Sequence, residues 1–261
     1  MMVVMDLGLA GKTAVVLGAT SGMGAAIARG LAAEGANVAV VGRRAQAARE
    51  LASELGAAVA IPADITEPGA PQRILDQVTD TLGRVEVLVL NGGGPKPSLP
   101  TDFTSADAQD AVDLLLKPHI DLVSRVLPAM LEAGWGRIVA VGSAGVQEPI
   151  GNLTASNVGR AALAGYLKTL AGQVADQGVT VNMVLPGLID TDRAAGLDQL
   201  AADAAGVSVE EARTKRAESI PAGRYGTPEE FAAVAVFLAS SRASYVTGEQ
   251  VRCDGGSIRH Y

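Results

Sequence analysis

Aromatic side chains make up only 3% of this chain, it has two histidines, and its one cysteine is Cys253. A single thiol closes no internal disulfide, so nothing here asks for an oxidising compartment. Positive charge is also short, with 21 Lys and Arg against 28 Asp and Glu and a formal net charge of -7. That balance leaves no electrostatic footprint for nucleic acid and no basic cluster to hold an anionic membrane. No window reaches the roughly 20 apolar residues of a membrane span. Residues 1–10 lack the basic start, apolar stretch and small-residue cleavage site of a signal peptide. The expectation is a cytoplasmic enzyme with a small-molecule substrate, without a nucleic-acid or membrane partner and without a metal. What the chain does have is 48% hydrophobic residues over 261 positions. That suffices for one large α/β domain with a sizeable core.

Short β-branched runs alternate with longer Ala- and Leu-rich stretches. Strands are expected over 13–18, 37–42, 57–63, 85–91, 137–143, 179–185 and 250–253. Several are nearly continuous apolar runs, such as Val85-Glu86-Val87-Leu88-Val89-Leu90, which suits strands covered on both faces. Helices are expected over 22–34, 45–55, 71–82, 104–133, 153–174 and 228–239. This alternation predicts a parallel sheet with right-handed crossovers, as a single domain over 1–261. No internal repeat or linker divides the chain. The pattern breaks once, over 192–219, a polar, Ala-rich, helical segment with no strand after it. It reads as an insertion, either a lid over the carboxyl ends of the strands or a surface excursion.

The first strand runs into Gly18-Ala19-Thr20-Ser21-Gly22-Met23-Gly24, which opens a helix. Glycines there let the backbone turn tightly and approach a pyrophosphate, whose charge is met by the helix N-terminus. The second strand ends at Val40-Val41-Gly42 and is followed by Arg43-Arg44. An acidic residue at that place would hydrogen-bond the 2'-hydroxyl of NAD; two guanidiniums suit a 2'-phosphate. NADP(H) is therefore expected as cofactor, the alternative being a solvated basic turn.

With these motifs the chain resembles the short-chain dehydrogenase/reductase family over essentially its whole length. The resemblance implies a single Rossmann-type, doubly wound parallel sheet of about seven strands with helices on both faces. The Gly18, Gly22 and Gly24 spacing is similar to the family's cofactor loop, although Leu17 replaces its usual threonine. Asp64, with Ile65 beside it, resembles the adenine-contacting aspartate. Asn91-Gly92-Gly93 is a shifted version of an Asn-Asn-Ala-Gly motif. Pro186-Gly187-Leu188-Ile189-Asp190-Thr191 resembles the Pro-Gly loop on the nicotinamide side, with Thr191 at the carboxamide-contacting position. Thr247-Gly248 and Asp254-Gly255-Gly256 resemble the C-terminal signature. Family members commonly pair through their two long helices and the C-terminal strand, which implies a homo-oligomer, tetramer or dimer. Ala161, Ala162, Ala164 and Gly165 would permit close helix contact.

The family's chemistry uses a serine, a tyrosine, a lysine and an asparagine. Ser143, at the end of the fifth strand, matches the serine and can donate to a developing oxyanion. Ser156-Asn157-Val158-Gly159-Arg160 stands where the family has Tyr-x-x-x-Lys, which implies Ser156 at the tyrosine position and Arg160 at the lysine position. Leu115 falls at the asparagine position. A serine hydroxyl is no useful acid at neutral pH, whereas a phenol of pKa near ~10 is lowered by an adjacent cation. Loss of a positioned general acid costs about 10²–10⁴ in rate. Arg160 can still hydrogen-bond ribose hydroxyls but stays charged.

Several other side chains could in principle donate the proton. Tyr166 lies on another face of the helix; Tyr225 and Tyr245 fall in structural regions; Tyr261 could reach a neighbouring subunit. His119 titrates near neutrality, one turn beyond Leu115, or simply makes a local hydrogen bond. Pro118 loosens its predicted face. Lys96 and Lys117 read as solvated or near the insertion, and Asn152 and Asn157 could bind a water or a substrate oxygen. The leading expectation is an NADP(H)-dependent oxidoreductase with an atypical site, reducing a carbonyl or an activated C=C. The alternatives are a non-redox lyase, isomerase, cyclase or cofactor sensor, and a scaffolding subunit. Specificity would lie in 94–103, 145–153 and 192–219.

Overall fold

The computed structural model describes residues 5–260. Strands β1 (Thr13–Val16), β2 (Asn37–Gly42), β3 (Ala58–Pro62), β4 (Val87–Leu90), β5 (Gly136–Val141), β6 (Val179–Pro186) and β7 (Gln250–Cys253) form one sheet in the order β3-β2-β1-β4-β5-β6-β7. Every neighbouring pair is parallel. The central strands β1, β4 and β5 are buried along their whole length, as their unbroken apolar runs require when helices cover both faces.

Helices α1 (Gly22–Ala33), α2 (Ala45–Leu55) and α9 (Pro228–Ala239) pack on one face, around Ile27, Leu31, Leu51 and Phe231. Helices α3 (Ala70–Leu82), α5 (Lys117–Glu132) and α6 (Thr154–Val174) pack on the other, around Ile74, Leu122, Met130 and Leu163. This is the doubly wound α/β sheet expected. The strand order reverses between β1 and β4, and a crevice opens there over the carboxyl ends.

Two expectations are corrected. The single helix over 104–133 is two helices, α4 (Ser105–Leu115) and α5, which meet at Leu116 with φ -120° and ψ -61°. Pro118 lacks an N–H for the helical bond back to Leu114, so the first helix stops and the second restarts with proline in its opening turn. Ala164 belongs to the core against the sheet, while Ala161 and Gly165 remain exposed on the outer side of α6. The segment 192–219 forms α7 (Asp192–Ala205) and α8 (Val209–Glu218), hinged at Gly206, whose φ of 67° is left-handed. Among the described residues no helix is long and apolar enough to cross a membrane. Tyr261 lies outside the described residues.

Candidate active site

The end of β1 turns sharply at Gly18 and Gly22, with φ of 57° and 54°, into α1. A Cβ on Gly24 would fall 2.3 Å from the Gly18 carbonyl oxygen, so only glycine lets the helix start against the loop. Ser21 makes no side-chain cap and the first turn of α1 holds no acid, which leaves its N–H groups open toward an anion. Asn91, at the end of β4, donates its amide to the Leu17 and Gly18 carbonyls at 3.1 and 3.3 Å and braces the loop from behind. Thr191 packs its methyl over Gly22, 3.1 Å from where a Cβ would lie, and its hydroxyl caps α7. Gly187 crosses so close to Asp254 that a Cβ would meet that backbone at 2.7 Å.

On the neighbouring rim, Arg44 donates to the Thr20 carbonyl at 2.9 Å, and to its hydroxyl. Arg43 is exposed, reaching over Gly93 and pairing loosely with Asp64 at 3.8 Å. Asp64 is held by the Thr66 amide and hydroxyl at 3.0 and 2.7 Å, and these bonds, with Arg43, keep its carboxyl below the usual range. Ile65 lies beside Gly92, its Cδ1 3.9 Å from a Cβ built there.

Toward β5 the crevice deepens into a cleft of about 970 Å³. Met23, Asn91, Gly92, Ser143, Ser156, Arg160, Pro186, Gly187, Ile189 and Thr191 all line it, so residues spread over most of the chain converge. Gly18, Thr20, Ser21, Gly22, Gly24, Arg43, Arg44, Asp64, Ile65 and Gly93 lie outside this cleft, at the start of α1 and in the segments that follow β1, β2, β3 and β4. Ser143 Oγ accepts the Gly145 N–H at 3.1 Å, which leaves its proton free to donate into the cleft. Ser156 is buried in the first turn of α6. Four residues on, Arg160 sits deep in the cleft and donates Nη1 to the Val141 carbonyl at 2.7 Å. Burial, and then the charge of Arg193, push its pKa down to about 10.

The other proton-donor candidates stand elsewhere. His119 is 3% exposed, and Nδ1 lies 2.8 Å from the Leu115 carbonyl. Burial holds its pKa near 4, and it is not part of the cleft wall; it makes the local hydrogen bond rather than acting as an acid. Tyr166 packs on the core, and burial raises its pKa. Tyr225 is buried with its hydroxyl on Asp198 at 2.7 Å, and Tyr245 is fully exposed. Lys117 pairs with Asp113, and Lys96 is exposed. Asn157 donates its amide to the Ile150 carbonyl at 2.9 Å and receives the Ile150 N–H at 3.4 Å, which ties it to the loop before α6. Asn152 lines the cleft.

Helices α7 and α8 supply a wall that motif spacing did not mark: Arg193, Leu197, Leu200 and Arg216, faced by Ile258 near the C-terminus. Their only sequence signal was the placement of the insertion after the sixth strand.

A family model described as enoyl-(acyl carrier protein) reductase matches residues 18–257. The chain is 34% identical over 249 residues to a 3-oxoacyl-[acyl-carrier-protein] reductase, FabG, of Salmonella typhimurium, covering 94% of this chain and 97% of that protein. Among solved structures, the L-sorbose reductase of Gluconobacter frateurii, complexed with NADPH and L-sorbose, superposes with a TM-score of 0.92 at 30% identity, covering 98% and 100% of the two chains. YwfH, an NADPH-dependent reductase involved in bacilysin biosynthesis, superposes with a TM-score of 0.91 at 29% identity, covering 96% and 99%.

Proposed function

The chain belongs to the short-chain dehydrogenase/reductase family, and on that premise we propose that it is an NADP(H)-dependent oxidoreductase with an atypical active site, reducing a carbonyl or an activated C=C of a small to medium substrate. The observation that carries this reading is the convergence of Ser143, Ser156 and Arg160 on one cleft that reaches Met23 of the glycine loop. The similar proteins named above are reductases, two of them with NADPH in their descriptions. They favour redox chemistry over the non-redox and scaffolding alternatives.

The residues present fit the dinucleotide. The cradle that a Gly24 side chain would fill, the open first turn of α1 and the pair Arg43 and Arg44 suit a pyrophosphate and a 2'-phosphate. When bound, NADPH supplies the hydride. In this reading Thr20, Ser21, Gly22 and Met23 hold the phosphates, with Asp64 and Ile65 beside the adenine. Asn91, Gly92, Gly93, Pro186, Gly187, Ile189 and Thr191 shape the nicotinamide side, and Arg160 holds the ribose. Ser143 donates a hydrogen bond from its free O–H to the substrate oxygen and steadies the charge that develops there. A water beside Ser156 gives the proton, because neither serine has the acidity to do so. The departure from Tyr-x-x-x-Lys belongs to this proposal: without a phenol the site favours substrates whose developing charge is delocalised, such as conjugated or otherwise activated ones.

We also propose a cytoplasmic, single-domain homo-oligomer, dimer or tetramer, in which α7 and α8 serve as a substrate lid. The test of the chemistry is NADPH oxidation with activated carbonyl and enone substrates. Ser143→Ala is expected to lower kcat by about 10²–10³ while NADPH affinity holds. The reading fails if that variant turns over as the parent does, or if Ser156→Tyr with Arg160→Lys creates ketone reduction where the parent shows no turnover of any substrate.

A further inference from the structure

The cleft holds two guanidiniums that the chain does not neutralise. Among the described residues seven of the fourteen other arginines lie in ion pairs, as in Arg29 with Glu54, Arg213 with Asp190 and Arg224 with Glu230, and the buried Arg137, which has no acid, donates instead to the Ser240, Gly136 and Gly178 carbonyls. Acids are in excess, 28 against 21 bases. Yet no ion pair among the described residues includes Arg160 or Arg193. Arg160 spends one N–H on the Val141 carbonyl. Arg193, in the first turn of α7, makes a single long bond to the Pro95 carbonyl at 3.4 Å. Its guanidinium lies across Gly94: a Cβ there would fall 2.4–2.6 Å from Nη2, Cζ and Nη1. Both arginines line the cleft and lie close enough for Arg193 to depress the basicity of Arg160. The third arginine on the wall, Arg216, is already bound to Asp198, and the one acid on the wall, Glu148, is exposed.

Arg160 is largely removed from water and short of partners, and the exposed guanidinium of Arg193 sets a second like charge beside it, so an anion between the two relieves a cost that lies mainly on Arg160. A guanidinium's planar fork matches a carboxylate. The remaining wall near them is apolar, from Leu197, Leu200, Ile150 and Ile258. From this we infer that the substrate is a carboxylic acid, an oxo acid or a conjugated unsaturated acid with an apolar remainder, whose carboxylate is received by Arg193 and by the N–H groups of Arg160 that the ribose and the Val141 carbonyl leave unused, while its reacting group faces Ser143. This rests on the reductase reading and narrows it. Acyl-carrier-bound thioesters, which present no free carboxylate at the reacting end, are then disfavoured.

The test begins by titrating NADPH into the protein, which checks the underlying reading separately. Protein saturated with NADP+, which cannot reduce a ketone, is then titrated calorimetrically with benzoylformate and, separately, with its methyl ester. The acid is expected to bind at least about tenfold tighter than the ester, the scale of one charge-assisted pair. Arg193→Gln should bring that ratio close to one with NADPH affinity unchanged. Gly94→Ala should do likewise, because its Cβ displaces the flexible guanidinium without removing charge. The inference is overturned if acid and ester bind alike, if neither binds to protein that does bind NADPH, or if Arg193→Gln weakens NADPH as much as the acid. The last result would assign the guanidinium to a cofactor phosphate. A parent protein that binds no NADPH overturns the reductase reading itself.

Discussion

His119 illustrates how surroundings decide what a titratable side chain does. Its imidazole is buried and points Nδ1 at the Leu115 carbonyl, while Nε2 has no hydrogen-bond partner. Burial, and the nearby Arg160 charge, hold the folded pKa near 4 against an ordinary 6.5. Between those values the unfolded chain binds the proton and the folded one does not, so stability falls as pH drops from about 6.5 toward 4. The loss is about 3 kcal/mol at most for this group. His119→Leu should flatten that part of a denaturation-against-pH curve; an unchanged slope would show that other groups set it. At the glycine loop the clash is with backbone, so Gly24→Ala should abolish NADPH binding in a protein that still folds, as judged by calorimetry and circular dichroism. The glycine loop was legible in the chain because a short fixed motif carries it, whereas Ser143, Ser156 and Arg160, which line one cleft, were placed by the resemblance, the last two where its motif is missing. Arg193 was not: its neighbour Pro95 stands 98 positions away, and a helix-surface arginine has no local signature.

Elements were more legible than their junctions. Strands buried on both faces read as apolar runs, as β2 does, while the half-buried edge strand β7, Gln250–Cys253, is no such run and yet has the bounds expected. The start of α9 is marked by a capping box, Thr227 with Glu230 around Pro228. The separation of α4 from α5 was harder, since apolar periodicity continues through Pro118 and only the missing N–H interrupts it. The pairing of α7 with α8 depends on contacts that no pattern announces. Asp198, 1% exposed, accepts the Tyr225 hydroxyl at 2.7 Å and binds Arg216 and Arg213. Burial, and then that hydroxyl bond to Asp198, raise the Tyr225 pKa to about 12, so the phenol remains a donor. Tyr225→Phe leaves a buried carboxylate oxygen short of a partner, at a cost of about 1–3 kcal/mol. We expect limited proteolysis to cut within 192–219 sooner in this variant, with the sheet intact. Equal cutting rates would mean that the helices are anchored by other contacts.

For the whole molecule, charge is distributed unevenly rather than merely in deficit. A chain of net charge -7 keeps Arg43, Arg44, Arg160 and Arg193 around one crevice. Only Arg43 among them has an acidic neighbour, and that pair is loose at 3.8 Å. A cofactor with a 2'-phosphate and an acidic substrate would both be drawn to it. The exposed outer side of α6, with Val158, Ala161 and Gly165, suits contact with a second copy. Light scattering should therefore give two or four times the 26.4 kDa of one chain; a monomer at working concentration would remove that proposal.

The central claim, an NADP(H)-dependent reductase, is tested most directly by calorimetric titration of the purified protein with NADPH and, separately, with NADH, because neither needs a known substrate. NADPH should bind at least about tenfold tighter, the worth of a charge-assisted contact to the 2'-phosphate. Arg44→Ala should erase the difference by weakening NADPH alone. Equal affinities would contradict the role of Arg43 and Arg44, and binding of neither would contradict hydride chemistry in this cleft.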